Sequence, residues 1–286
     1  MNKIKIPNKF YLLVISLFCF TSCLKWAARA EKKLPDETAL HRTYEYSGKV
    51  IVIGAGASGL AAAKVLEKNN VEYTVPEAAN RYGGRLKKDT TLADFSIDIG
   101  AEWLHSSPIS LNKLKGKHGE EIDEELIPYQ LESTAIWNGK EYKISPKWQN
   151  KYRYNFMPES KFKNTTWYDF FNENIANSVL QNIHYNNPVV SIDYTKNKVS
   201  VKTTDGTTYE ADRVLVTVPI GILKSEIISF NPEFSQKRKD AIEEITFYPG
   251  IKVVMKFSDK FYPDVIECEV DNGEKGYYDI AFGKET

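Results

Sequence analysis

The stretch Lys49-Val50-Ile51-Val52-Ile53-Gly54-Ala55-Gly56-Ala57-Ser58-Gly59-Leu60 constrains the fold more than any other part of this sequence. Val50 to Ile53 are β-branched without interruption, which predicts a parallel strand buried on both faces. Ser58 to Asn69 is helix-permissive, with apolar Leu60, Ala61, Val65 and Leu66. The glycines between have separate tasks. Gly54 permits a tight turn, Gly56 lets a pyrophosphate approach the backbone, and Gly59 lets the helix pack on the strand, with Ala57 and Ser58 at its phosphate-facing N-terminus. A second strand, Val71 to Val75, delivers Glu77 at its carboxyl end, 23 residues after Gly54. A carboxylate there accepts both ribose hydroxyls of an adenine dinucleotide, the alternative being a solvated loop acid.

The cradle is preceded by a leader. Met1 to Lys9 carries Lys3, Lys5 and Lys9 and no acid, and Phe10 to Phe20 is an apolar run of eleven residues ending at Phe20-Thr21-Ser22-Cys23. The run is too short for a mature membrane span and has the profile of an export signal. Its end is similar to a bacterial lipoprotein box, which predicts removal of residues 1–22, lipidation of Cys23 and a membrane-anchored protein on the periplasmic or cell-surface side. A plain cleaved signal and an uncleaved anchor are the alternatives. Residues 23–47 read as a polar tether. Cleavage takes the formal net charge from zero to −3, so nucleic acid is not expected as a partner. It also leaves Cys268 without an intramolecular disulfide partner. His41, His118 and His184 have no metal-ligand spacing with one another or with Cys268, so no metal is expected.

Beyond Glu77 the segment Val75-Pro76-Glu77-Ala78-Ala79-Asn80-Arg81-Tyr82-Gly83-Gly84-Arg85 resembles the second fingerprint of flavin-containing amine oxidases. That resemblance implies FAD as cofactor, with Glu77 on the ribose and Gly84 and Arg85 beside the diphosphate. Gly83-Gly84 suits close backbone approach, and the arginine fork matches phosphate oxygens. Pro76 and Ala79 depart from the pattern: a proline cannot donate to a ladder, so the strand is expected to end early. Asp98-Ile99-Gly100-Ala101-Glu102-Trp103-Leu104-His105 extends the likeness, which puts Gly100, Ala101, Glu102 and Trp103 along the flavin and aims His105 at a polyamine substrate. An ordinary loop histidine is the other reading of His105. Ala211 to Lys224 resembles the family's return strand, by which Val189 touches adenine through its backbone; within it Val214 to Val218 reads as another buried parallel-type strand. Tyr248 to Phe257 is similar to the strand carrying the family's flavin-facing lysine, here Lys252. Sequence alone would leave Lys252 or Lys256 on a solvent face.

The fold expected is α/β: a doubly wound FAD-binding domain in two parts, 48–107 and 186–229, with a mixed α+β substrate domain from 108–185 and 230–286. Gly119 to Glu125 reads as a solvated helical face or an amine-attracting cluster, and Trp137, Trp148 and Trp167 as core or an ammonium cage. By resemblance the activity is oxidation of an amine, a polyamine first, to an imine or aldehyde by FAD and oxygen with release of hydrogen peroxide. A desaturase-like or protoporphyrinogen-oxidase-like flavoprotein and a non-catalytic lipid-anchored remnant are the alternatives. The resemblance covers residues 47–286, about the first three-fifths of the family; a fragment, a truncated gene and a split protein with a complementary C-terminal chain are the readings this leaves open.

Overall fold

Strand β1, Val50–Ile53, is buried at all four positions, as its unbroken β-branched run requires. In the computed structural model, which describes residues 46–116, 123–150, 159–247, 250–268 and 275–284, it leads through the glycine turn into helix α1, Ala57–Lys68, and strand β2, Tyr73–Pro76. Strands β3, Lys88–Asp89, and β4, Ile97–Asp98, pair antiparallel before helix α2, Ile109–Lys115. Strands β5, Leu126–Pro128, β6, Thr134–Trp137, β7, Tyr142–Ile144, and β8, Ser160–Phe162, come next. Helix α3, Trp167–Asn174, and strand β9, Ile183–His184, follow. A meander of β10, Val189–Asp193, β11, Val199–Thr203, and β12, Thr208–Ala211, runs into β13, Arg213–Val216. Helix α4, Ile220–Lys224, strand β14, Ser229–Asn231, helix α5, Gln236–Glu244, and strands β15, Val265–Cys268, and β16, Lys275–Tyr278, complete the described elements. All belong to one compact unit, Ser47–Thr286. The leader, Cys23 and nearly all of the tether lie outside the described residues, as do His118 and most of the acidic cluster.

The nucleotide-type sheet has the order β13-β1-β2-β9 and is parallel throughout. β1 therefore has its sequence neighbour β2 on one side and, on the other, a strand some 160 residues distant. Strand order reverses there, and in such sheets the crevice at the carboxyl ends of the strands is where ligands bind. Alternation divides the burial of β1 between two cores. Val50 and Val52 join Leu60, Ala63, Val75, Phe170 and Phe171 on the helical side. Ile51 and Ile53 meet Val189, Ile192, Val199 and Val201 of the second sheet, ordered β12-β11-β10-β14. A third sheet, β16-β15-β6-β7, combines strands from 108–185 with strands from 230–286.

Four expectations need correction. Pro76 does not shorten β2: it is the last strand residue, its carbonyl accepts from Gly54 N (2.9 Å), and the next ladder bond is donated by Glu77 N to His184 O (2.9 Å). The missing proline N–H falls where no donor is needed. β13 is not buried on both faces, since it is the sheet edge and Leu215 is 43% exposed. The division at residue 185 cuts a core, because α3 packs with α1 and β9 pairs with β2. Finally, residues 250–257 form no strand; Ile251, Val253, Met255 and Phe257 are exposed, and among the described residues no neighbouring strand offers them a ladder.

The glycine turn has little tolerance at one position and ample room at another. A Cβ on Gly59 would stand 1.9 Å from Gly54 O, whereas a Cβ on Gly56 would meet nothing within 4 Å. Gly59→Ala is therefore expected to cost about 3 kcal/mol or more, since backbone must move on both sides. Gly56→Ala should fold within about 1 kcal/mol of the parent. Denaturant midpoints of the two variants check the contrast.

Candidate active site

The turn after β1 places a helix N-terminus beside a second glycine loop. Gly54 has φ +98°, a conformation open to glycine, and α1 begins without a side-chain cap. The first-turn amides at Ala57, Ser58 and Gly59 are thus left facing outward for an anion. Gly83 N donates to Ala55 O (2.8 Å), and Gly84, at φ +56°, lies so close that its Cβ would be 3.3 Å from Gly56 Cα. Glu77 sits where β2 ends, its two carboxylate oxygens accepting from Ala55 N (2.6 Å) and Ala79 N (2.8 Å). Each oxygen keeps a lone pair for a further donor such as a ribose hydroxyl. The space over Gly56, the uncapped helix and the fixed carboxylate fit the adenine and diphosphate end of FAD.

Arg85 acts here through its backbone. Its guanidinium is also exposed, lying over the Phe247 ring (5.8 Å) and open to a phosphate, while its carbonyl accepts from Ala101 N (3.2 Å) and packs on Gly100, where a Cβ would come within 1.8 Å. The residue that braces the Gly83-Gly84 loop is Arg81, donating to Gly84 O (2.7 Å) and Tyr82 O (3.0 Å). Thr217 does the same for the first turn, its hydroxyl reaching Ile53 O (2.7 Å). Neither has a role in the sequence reading. Val189 opens β10 with its side chain in the second core.

From Ala101 to His105 exposure alternates between the outside and the interior. Ala101 and His105 are exposed; Glu102 and Leu104 are buried. His105 is 67% exposed and pairs through Nδ1 with Glu159 Oε1 (2.8 Å), outside the network that contains Glu102. Lys252 Nζ donates to Glu102 Oε2 (2.9 Å) and to Asp98 O (2.7 Å). Tyr278 Oη donates to the same carboxylate oxygen (2.7 Å), and Lys161 Nζ stands 3.7 Å from Glu102 Oε1 while donating to Ile280 O (2.9 Å). Trp103 lies tilted against Tyr129 (ring centroids 4.0 Å), which meets Phe282 edge-on (5.4 Å), so aromatic rings wall the charged cluster. Trp137, Trp148 and Trp167 do not form a cage: Trp148 is exposed, and Trp167 packs with Phe162, Phe170 and Phe171.

Burial sets the electrostatics of this cluster. It raises the Asp98 carboxyl to about 7, with Glu102 adding to the rise and the Trp167 N–H bond, Lys252 and Lys284 opposing it. It lowers the Lys161 amine to about 8 against the pull of Glu102. The Tyr278 hydroxyl is raised by burial and by Glu102, so it remains a donor. Sequence reasoning overlooked Lys161 and Tyr278 because their partner Glu102 is 176 residues from Tyr278 in the chain.

The family model for flavin containing amine oxidoreductases matches residues 57–172 and 168–281. The chain belongs to that family, and FAD is the cofactor that membership indicates. Polyamine oxidase 3 of Oryza sativa subsp. japonica is 25% identical over 302 residues, covering 78% of this chain and 62% of the relative. Polyamine oxidase 4 of the same plant is 27% identical, covering 76% and 60%. Lysine-specific histone demethylase 2 of Homo sapiens is 25% identical, covering 81% and 37%. A wild-type putrescine oxidase structure bound to putrescine superposes with TM-score 0.53 at 16% identity over 69% of this chain and 63% of that one, a likeness of fold. The chain spans about three-fifths of the length of the polyamine oxidases it matches.

The shifted groups predict a pH signature. Between about pH 4 and 7 the folded chain holds a proton on Asp98 that the unfolded chain has lost, so stability falls as pH rises. Between about pH 8 and 10.5 the unfolded chain holds a proton on Lys161 that the fold has lost, so stability rises with pH. Asp98→Asn should remove most of the first decline, roughly 2–4 kcal/mol, in unfolding curves at several pH values.

Proposed function

We propose that this chain carries FAD-dependent oxidation of an amine, with polyamines the favoured substrates. The observation that carries the reading is the meeting of Lys252 with Glu102 and the Asp98 carbonyl beside the Gly100-Ala101 segment. It brings the family-aligned lysine to the family-aligned loop, although its own segment has no strand. When bound, FAD would supply the redox chemistry: two electrons and two protons leave the Cα–N unit of the amine, giving an imine, and oxygen takes them up as hydrogen peroxide. Water then converts the released imine to an aldehyde together with either ammonia or a shorter amine.

The chain's own residues bind, orient and exclude. The first turn of α1 and Glu77 hold the dinucleotide end, and Lys252 presents its ammonium on a buried carboxylate. Trp103, Tyr129 and Phe282 keep water from that carboxylate and its lysines. His105, exposed and tied to Glu159, suits a role at the entrance that attracts or orients a polyamine chain. Because only the deprotonated amine donates electrons, turnover should rise with pH through the pKa of the bound amine.

A second reading is favoured by the exposed Ile251, Val253, Met255, Phe261 and Tyr277, which line an open groove of about 390 Å³. In it the chain binds FAD and turns over amines only when another polypeptide covers that groove. A flavin absorbance spectrum with no peroxide formed from putrescine, spermidine or spermine would favour this reading. Peroxide formation lost at least tenfold in Lys252→Met, with flavin retained, would favour the first. We also propose that Cys23 is lipidated and anchors the exported protein. Labelled palmitate should enter the wild-type chain in a bacterial host and not Cys23→Ala, and equal labelling of both would exclude the anchor.

A further inference from the structure

Lys252 lies in a segment that does little to orient it. Residues 250–257 are outside every described strand and helix, and among the described residues no backbone–backbone hydrogen bond joins them to the rest of the chain. Ile251, next in sequence, is 90% exposed. The Lys252 side chain is nevertheless only 21% exposed, and its ammonium is held by two acceptors. The orientation therefore comes from what it touches.

Of those acceptors, Glu102 is the one that is itself fixed from several directions. Its side chain is 5% exposed. Tyr278, on the paired strand β16, donates to the oxygen that Lys252 uses, and its ring lies 5.5 Å from the Lys252 ammonium. Lys161, on β8 and 2% exposed, faces the other oxygen. Its amine is pinned in turn by Ile280 O and by the Trp103 ring at 5.4 Å. We propose that Glu102, braced by Tyr278 and Lys161, is the positioning residue that aims Lys252, so that the loop after β4 rather than the lysine's own segment sets where its amine stands.

The physical reason is that one carboxylate faces two ammonium groups. Charge-assisted hydrogen bonds to a buried carboxylate are short and strong, and removal of one partner leaves the others without compensation. Without the charge on Glu102, Lys252 and Lys161 would face each other across a neutral amide. Lys161 is enclosed, so Lys252, on the unpaired segment, is the one that swings out. Tyr278 acts one step further back. Its hydroxyl holds the shared oxygen in line, and its loss leaves the charge in place and loosens the geometry.

The inference rests on the amine-oxidase reading for its consequence, but its test does not require turnover. The full chain is treated with formaldehyde and cyanoborohydride under limiting conditions, and methylation of Lys252 is measured by peptide mass spectrometry relative to exposed Lys256 in the same segment. Glu102→Gln should raise the Lys252 to Lys256 ratio about tenfold or more, the loss of one charge-assisted bond. Tyr278→Phe should raise it about threefold. A general loosening of the fold would raise the enclosed Lys115 along with Lys252, whereas lost positioning raises Lys252 and leaves Lys115 unchanged. An unchanged ratio in both variants overturns the proposal. Should Glu102→Gln fail to fold, Tyr278→Phe, which removes one oxygen, decides alone. A raised ratio in a chain that oxidises no amine supports the positioning and refutes only the catalytic reading.

Discussion

Between Gly54 and Gly59 there is no room for one additional carbon, and much of the chain is arranged around that contact. A side chain at Gly59 would overlap the Gly54 carbonyl, so glycine there lets α1 lie directly on the end of β1. The same close approach brings Gly83 into a bridge with Gly56, leaves the first-turn amides uncapped and seats Thr217 over the turn. β1 can serve two cores because alternate side chains of a strand point to opposite faces. The phosphate site is thus a by-product of packing: the position where helix and strand meet most closely is also where backbone N–H groups are left over.

A second junction depends on charge. Glu102 ties three distant parts of the chain together, through Lys161 on β8, Lys252 in the unpaired segment and Tyr278 on β16. Buried ion pairs hold geometry because removing either member is costly, even where the intact pair adds little net stability. Here the geometry held is that of a lysine near the segment the family runs along its flavin. Asp98 contributes a backbone carbonyl to the same amine while its own carboxyl is pushed toward neutrality, so one residue acts as hydrogen-bond acceptor and as buried acid.

Much of the candidate nucleotide site was legible in the chain before its structure. Val50 to Gly59, Glu77 and Gly83-Gly84 are local patterns, each depending on a few consecutive residues, and the structure assembles them within hydrogen-bonding distance of one another. Pro76 misled because its cost depends on whether a ladder donor is required there, which depends on the register with β9. The segment 250–257 misled because its alternating apolar residues specify a strand only when a partner strand is present. The Arg85 side chain was read as lying on phosphate; the fold leaves it exposed and adds a contact the sequence could not show, its carbonyl seated against Gly100 and accepting from Ala101 N.

What the sequence by itself determined is the βαβ start, the dinucleotide cradle and, through the fingerprint around Gly83-Gly84 and the 98–105 segment, the flavin amine oxidase family. Those are matters of local sterics and short-range order. Only the tertiary structure decided which polar side chains meet: Glu102 turning inward to two lysines and a tyrosine, Arg81 bracing the glycine loop, His105 turning outward to Glu159. Alternation along an extended chain says that Glu102 and His105 face opposite ways. It takes the packing of β8, β16 and the loop after β4 to say which of the two faces is the interior, because burial is a property of what lies opposite.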